Sequence, residues 1–317
     1  MKNIKKTKEI IENLNDLPIY IAGHLKPDQD SVGSCLALAE FLKAYGKKAC
    51  VLLEEKDKDI LNWKGDYSLV TSEVVHDKYN FFMLDMNEKK RLGSFEKWFD
   101  EAEFTVNIDH HQDNKFEADY TVSESGISST CEMIFEIISA FGKDYLTKSI
   151  CEYLYAGMMN DTNCFSRRLS SKTLAVAQKL INKKIDYTHI IKKTFSERSF
   201  YEFKALAKLV SEIKEDDGFN YVVVDKSKEE FSKLSHNAIV KQIAEDLRKI
   251  EGFDVFLMLI KNTDSIVAKV MSNISSNADK IATVFGGGGH KKEAGFTVKD
   301  MTIEEIVEQT RNYLKQN

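Results

Sequence analysis

The chain reads as an α/β protein of two units, an N-terminal parallel-sheet domain followed by a smaller C-terminal α/β domain. Three observations predict this class. In the first half, apolar strand-like runs alternate with amphipathic helical text, the pattern of a parallel sheet with crossover helices. From about residue 186 the text turns charged and helical, and a fresh strand then opens at DDGFNYVVVD. Finally, 317 residues at 43% hydrophobic and 30% charged composition are enough to bury two separate cores. The expected organisation is 1–186 for the catalytic unit, 187–214 for a helical connector and 215–317 for the second unit.

The elements follow in order. PIYIAG reads as a first strand, and SVGSCLALAEFLKAYG as a helix with Val32, Cys35, Leu36, Ala39 and Leu42 on one face and a stop at Gly46. Asp30 or Ser31 is expected to be its N-cap. KACVLLE, YNFFMLD and FTVNID are the next strands, followed by helices over about 128–141, 145–158 and 171–182. In the second half, a strand in FNYVVVD precedes a helix in AIVKQIAEDLRKI, strands in FDVFLMLIK and DSIVAKVMS, and a helix in NADKIATVF. GGGGHKKEAGFTV and a terminal helix complete it.

Composition excludes several functions. The chain has no apolar run of eighteen residues, and its basic N-terminus lacks the apolar centre of a signal peptide, so a soluble cytoplasmic protein is expected. Five scattered cysteines without a CxxC pair fit reduced thiols rather than a disulfide framework or zinc ribbon. A net charge of −5 argues against coating long nucleic acid, which needs clustered Lys and Arg. A small phosphorylated substrate needs only local positive charge, which metal ions can supply.

The chemistry concentrates at strand ends. His24, Asp28 and Asp30 follow the first strand, Asp85 ends the third, and Asp109, His110 and His111 end the fourth. Asp161 sits in GMMNDTNCF after a helical segment. A single such Asp is ordinarily a cap or turn residue. In open α/β sheets, however, ligands bind beyond the carboxyl ends of strands, so these clusters are expected to converge. Carboxylates crowded there repel one another unless a cation cancels their charge. Mixed carboxylate and imidazole ligands without cysteine suit Mn²⁺ or a similar ion. His24, His110, Asp28, Asp30, Asp85 and Asp161 exceed the needs of one ion and suffice for two divalent ions sharing a carboxylate.

At these residues the sequence resembles the DHH phosphoesterase superfamily. GHLKPDQDSVGS, FFMLD, NIDHH and GMMNDT resemble its four motifs in order, and FGGGGHKKEAGFTV resembles the glycine-rich signature of the DHH-associated C-terminal domain. The two-domain size and the Gly-Gly-Gly-Gly-His segment resemble the nanoRNase/pAp-phosphatase branch. The resemblance implies hydrolysis of short oligoribonucleotides or pAp to mononucleotides, with the active site in the cleft between the domains. It implies that His24 and Asp28 bind one metal, that Asp30, His110 and Asp161 bind the other, and that Asp85 bridges both. His111 would lie near the scissile phosphate, with Asp109 orienting a ligand histidine. Gly286, Gly287, Gly288, Gly289 and His290 would contact the substrate through backbone N–H groups and an imidazole donor. The expected partners are a small nucleotide or short oligonucleotide and at most a second copy in a homodimer, with no long nucleic acid and no membrane.

Departures from the family pattern are Gln29 for a common Gly, LDMN for Asp-Thr, and Asn273 near a usual arginine, which removes a phosphate clamp. Two other readings compete. One is a pyrophosphate or short polyphosphate hydrolase, whose Ser-Arg-Lys-Lys-Gln type signature is absent here; the other is a non-catalytic nucleotide sensor. Arg91, Arg167 and Arg168 are candidate substrate contacts, although most such arginines are solvated or bridge helices; Ser128, Ser129 and Thr130 precede a helix as caps, where the resembled family has small hydroxyl residues near the substrate.

Overall fold

Runs of consecutive apolar residues make the strands of the first unit and bury them on both faces. In the computed structural model, residues 2–54, 68–111, 114, 116–196, 199–232, 243, 246–247, 250, 254–273, 275 and 277–316 are described. The chain divides into two units, 1–197 and 198–317. Six parallel strands form the first sheet: β1 (Ile19–Ala22), β2 (Ala49–Leu52), β3 (Val70–Thr71), β4 (Asn80–Leu84), β5 (Phe104–Asp109) and β6 (Tyr120–Ser123). Their order is β3-β2-β1-β4-β5-β6, so the sequence direction reverses between β1 and β4. That reversal opens a crevice beyond the carboxyl ends of these two strands.

Helices cover both faces. Those of the first unit are α1 (Lys2–Asn13), α2 (Gln29–Ala44), α3 (Glu96–Asp100), α4 (Thr130–Phe141), α5 (Lys148–Thr162), α6 (Ser171–Ile181) and α7 (Tyr187–Ile191). Strand alternation sorts the side chains. Ile19, Ile21, Phe82 and Leu84 pack in one core with residues of α2, α4 and α5. Tyr20, Ala22, Phe81 and Met83 pack in the other with Leu92, Phe95, Phe99 and Phe116.

Two glycines let α5 approach α2. A Cβ at Gly33 would lie 2.7 Å from Tyr153 O, and one at Gly157 would lie 2.9 Å from Asp30 Cα. Differences from the expected elements are local. The short edge strands β3 and β6 and the helix α1 were not anticipated. The N-cap of α2 is Asp28, whose side chain accepts from the N–H groups of Asp30 and Ser31, rather than Asp30 or Ser31 themselves. Asp161 belongs to the last turn of α5 rather than to a following loop.

The second unit holds α8 (Phe200–Ser211), β7 (Lys214–Asp216), β8 (Phe219–Asp225), α9 (Glu229–Ser232), β9 (Val255–Lys261), β10 (Ile266–Ser272), α10 (Ala278–Val284), β11 (Gly288–His290), β12 (Glu293–Val298) and α11 (Ile303–Gln316). Its sheet order is β11-β12-β10-β9-β8-β7, parallel only between β8 and β9. One face packs Val222, Val224, Phe256 and Met258 against Ala205 and Leu209; the other packs Leu257, Leu259 and Val270 against Ile281 and Ile306. The expected helix in AIVKQIAEDLRKI lies largely outside the described residues. Of the expected connector, α7 lies in the first unit and α8 in the second. Among the described residues, no helix is long and apolar enough to cross a membrane.

Candidate active site

The turns after β1, β4 and β5, together with the end of α5, bring seven sequence-selected residues to one place. Three overlapping groups have ligand atoms within 4.8 Å of one another: His24, Asp28 and Asp85; Asp30, His110 and Asp161; and Asp85, His110 and His111. Asp85 is common to the first and third groups and its two oxygens face different histidines. Oδ2 lies 3.5 Å from His24 Nε2, and Oδ1 lies 3.5 Å from His110 Nε2. His110 Nε2 also lies 3.2 Å from Asp161 Oδ2 and 4.0 Å from Asp30 Oδ2.

Each side chain is held from behind. His24 Nδ1 lies 2.8 Å from Leu25 O, which turns Nε2 toward Asp85. Asp28 Oδ1 caps α2 while its Oδ2 accepts from Asn160 Nδ2 at 2.9 Å. Asp30, fully buried, accepts from the Thr130 and Cys131 N–H groups at 2.7 and 2.8 Å, seating its carboxylate on the N-terminus of α4. The Thr130 hydroxyl donates to Asp85 Oδ1 at 3.1 Å. Asp85 itself has φ +61°, a left-handed conformation that Asp tolerates better than most residues.

Asp109 lies 2.5 Å from His111 Nδ1 and accepts from Asn114 Nδ2 at 2.7 Å. It therefore orients His111, not His110, whose own Nδ1 lies 3.4 Å from Ile127 O.

The electrostatics are those of crowded carboxylates. Burial, then the Asp85 and Asp161 charges, push Asp28 upward and Asp30 well above the usual carboxylate range. Burial also opposes ionisation of Asp85, but hydrogen bonds to His110 and His24 outweigh it and hold its carboxyl well below that range. For His110, burial favours the neutral ring, yet Asp161 and Asp85 raise its pKa to about 11. A proton on His110 thus partly balances the cluster. Two or more imidazoles facing four carboxylates form a donor set that fits hard or borderline divalent cations. Cys131 does not join it: burial and the Asp30 charge raise its thiol well above the usual range.

The glycine run lies in the second unit. Gly286 N–H and Gly287 N–H donate to Thr283 O and Ala282 O at the end of α10, so these two are not open to a ligand. This corrects the expectation that Gly286 and Gly287 offer backbone N–H groups to the substrate. A Cβ at Gly287 would lie 2.3 Å from Gly295 O, which explains the glycine by close approach. Gly288, Gly289 and His290 form the exposed strand β11 beside β12. At the position of the usual arginine, the Asn273 N–H donates to Asp254 Oδ1 at 3.1 Å.

Sequence reasoning passed over Asn160 and Gly157, and the contacts of Thr130 with Asp30 and Asp85. Ser-Ser-Thr before a helical run signals a cap but not which carboxylates the cap holds, and nothing local in the sequence marks Gly157 as a contact with Asp30.

Residues 18–158 match the DHH family, N-terminal domain, and residues 230–316 match the DHHA1 domain. The chain carries a DHH N-terminal domain followed by a DHHA1 domain. The DHH resemblance read from IDHH and the glycine-rich segment is thereby borne out. A bifunctional oligoribonuclease and PAP phosphatase NrnA of Thermus thermophilus is 26% identical, over 92% of this chain and 87% of that one. A membrane protein–large ribosomal subunit bL9 fusion protein of Aster yellows witches'-broom phytoplasma is also 26% identical, over 93% of this chain but 36% of its own length. The chain thus spans about a third of that relative. An exopolyphosphatase-related protein from Bacteroides fragilis shares the DHH fold with a TM-score of 0.85 at 24% identity, covering 99% of this chain and 97% of that one.

Proposed function

We propose that this chain is a divalent-metal phosphoesterase that hydrolyses short oligoribonucleotides and small nucleotides such as pAp to mononucleotides. The observation that carries the reading is Asp85, whose two oxygens each face a different histidine within one buried cluster. The similarity to the Thermus thermophilus oligoribonuclease and PAP phosphatase supports the substrate class.

In this reading His24 and Asp28 would hold one divalent cation and Asp30, His110 and Asp161 a second, with Asp85 a ligand to either, manganese being the expected metal. When bound, such ions polarise a phosphate and lower the pKa of a water. The chain's own residues do the rest. Asp30 keeps its geometry because the N-terminus of α4 fixes it, and Thr130 fixes Asp85. Asp109 accepts from Nδ1–H of the partly exposed His111, which directs its Nε2 at the site; as the imidazolium, His111 would donate that Nε2–H to a phosphate oxygen and pass the proton to the leaving oxygen. Substrate contacts assigned to the second unit are Gly288, Gly289 and His290 of the exposed strand β11, with the imidazole as principal donor.

The test is product formation from pAp, a 5′-phosphorylated diribonucleotide, inorganic pyrophosphate and a longer single strand, each with Mn²⁺ and with chelator. Chelator-sensitive mononucleotide release from pAp or the dinucleotide is expected. Turnover of pyrophosphate alone would overturn the nucleotide reading in favour of a phosphoanhydride hydrolase, and silence on all four would overturn it in favour of a sensor.

A further inference from the structure

A pocket of about 490 Å³ opens beside the site histidines, within the first unit, and its wall includes His110, His111, Ser125, Ile127, Arg168 and Ser170. Small-molecule sites span roughly 300–1,000 Å³. The pocket therefore has room for more than the group being hydrolysed.

Arg168 supplies the fixed positive charge of this wall. Its Nη1 donates to Asp161 Oδ2 at 3.2 Å, the same oxygen that lies 3.2 Å from His110 Nε2. Its side chain is still 55% exposed, so it grips Asp161 from the open side of the cluster. The chain goes out of its way to bring it there. After α5, Asn163, Cys164 and Phe165 have φ of +45°, +55° and +63°, and Arg168 has +50°. Left-handed residues other than glycine are costly, and a concentration of them next to a candidate site signals a constrained local role. Arg167 pins the turn through its N–H on Thr162 O at 3.0 Å and its Nε on Asp161 O at 3.1 Å.

Asp161 Oδ2 already serves both Arg168 and His110, so a divalent ion taking the same oxygen would compete directly with the guanidinium for it. Loading Asp161 with a divalent ion places a second positive charge next to the guanidinium and cancels most of the attraction that holds it. The guanidinium is then left at a pocket wall with a donor fork suited to phosphate. Ile127 gives the same pocket an apolar surface for a base or sugar.

We propose that this pocket takes the second, non-scissile phosphate of a nucleotide substrate, clamped by Arg168, which exchanges Asp161 for that phosphate when the site is loaded. The inference rests on the phosphoesterase reading above. It makes Arg168 a specificity residue for substrates carrying two phosphates.

The experiment compares wild type with Arg168→Ala and Arg168→Lys on pAp and on 3′-AMP, which lacks the second phosphate. Hydrolysis is followed with Mn²⁺, and equilibrium binding of each nucleotide is followed by calorimetry with Ca²⁺. For Arg168→Ala, KM for pAp should rise about 10- to 100-fold with kcat nearly unchanged, the loss expected of one charge-assisted contact. Binding of pAp should weaken by a similar factor, 3′-AMP should be little affected, and Arg168→Lys should recover part of the loss. Equal behaviour of wild type and Arg168→Ala toward pAp, or an equal loss for both nucleotides, overturns the inference while leaving the phosphoesterase reading standing. Binding of pAp that depends on Arg168 in a protein that hydrolyses nothing supports the pocket and defeats the phosphoesterase reading.

Discussion

Replacing Gly157 by alanine tests whether the close approach of α5 to α2 sets the geometry of the cluster. The added Cβ would lie 2.3 Å from Cys131 Sγ and 2.9 Å from both Asp30 Cα and Asp30 Oδ1. Relaxed contacts between such atoms are about 3.5–4.0 Å, so relief needs movement of about an ångström. The Asp30 backbone is part of α2, so the helices themselves must separate. With three atoms in the way, the cost falls near the upper end of overpacking, about 3 kcal/mol. Alanine returns about 1 kcal/mol through its better helix propensity. The net loss of about 2 kcal/mol corresponds to a fall in Tm of about 4–8 °C for a domain of this size. Because Gly157 lies one helical turn before Asp161 and touches Asp30, separation also pulls apart two members of one ligand group, and Mn²⁺ affinity should fall with Tm. Adding Cys131→Ala removes the 2.3 Å contact but not the backbone one, so it should recover only part of both losses. The assays are thermal melting and calorimetric Mn²⁺ titration. A Gly157→Ala protein with wild-type Tm and unchanged Mn²⁺ affinity would refute the reasoning.

Asp85→Asn keeps a residue that tolerates φ +61°. Wild type should gain about 2.7 kcal/mol of stability from Mn²⁺ at one hundred times its Kd, whereas a gain of the same size in the variant would rule out Asp85 as a ligand. Since His110 is held protonated up to about 11 in the cation-free protein, a cation taking its Nε2 must expel that proton. Mn²⁺ affinity should climb between about pH 6 and 8, and titration heats should vary with buffer ionisation enthalpy; heats independent of buffer would contradict this. The same raised pKa contributes stability to the cation-free protein that is fully present below about 6.5 and lost as pH rises through about 11, so chelated protein should melt lower at alkaline pH. Buried Glu132 accepts from the Ser128 N–H, the Ser128 hydroxyl and the Thr173 hydroxyl. Glu132→Ala should cost about 2–3 kcal/mol in urea unfolding, and an unchanged midpoint would deny this carboxylate its part in fixing the loop before α4.

The strands that carry the cluster were legible because their apolar runs are long enough to announce burial on both faces. PIYIAG, YNFFMLD and FTVNID each became a central strand of the first sheet. The edge strands were not, since β3 has two residues, β6 has four, and neither has a run or an alternation that stands out from a loop. Asp28, rather than the two residues after it, caps α2 because a cap side chain reaches forward to N–H groups two and three residues on. The glycine run was read as a ligand cradle because local sequence shows permitted backbone freedom but not competing partners. Its first two N–H groups were already committed to the end of α10. Gly157 was invisible for a related reason: a close approach between helices belongs to the pair, and neither helix states it alone.

The roles of the two adjacent histidines follow from strand geometry. Extended chain points successive side chains to opposite sides, so the first and third residues of Asp109-His110-His111 share a side and the middle one does not. Asp109 accordingly hydrogen-bonds His111. His110 turns the other way, into Asp85, Asp161 and Asp30. One triplet at the end of β5 therefore supplies both a histidine buried among carboxylates and a second, half-exposed one with its tautomer fixed by a neighbouring aspartate. The topology makes the second half of the site. β1 and β4 are adjacent at the point where strand order reverses, so their connections leave in different directions and open the space into which His24, Asp28 and Asp85 project. Burial and then the Asp85 and Asp161 charges raise the proton affinity of Asp28 and Asp30, and the fold tolerates the cluster through a helix N-terminus on Asp30 and imidazoles on Asp85. Those supports offset only part of the charge, which makes the switch point of the sheet a place that favours cations.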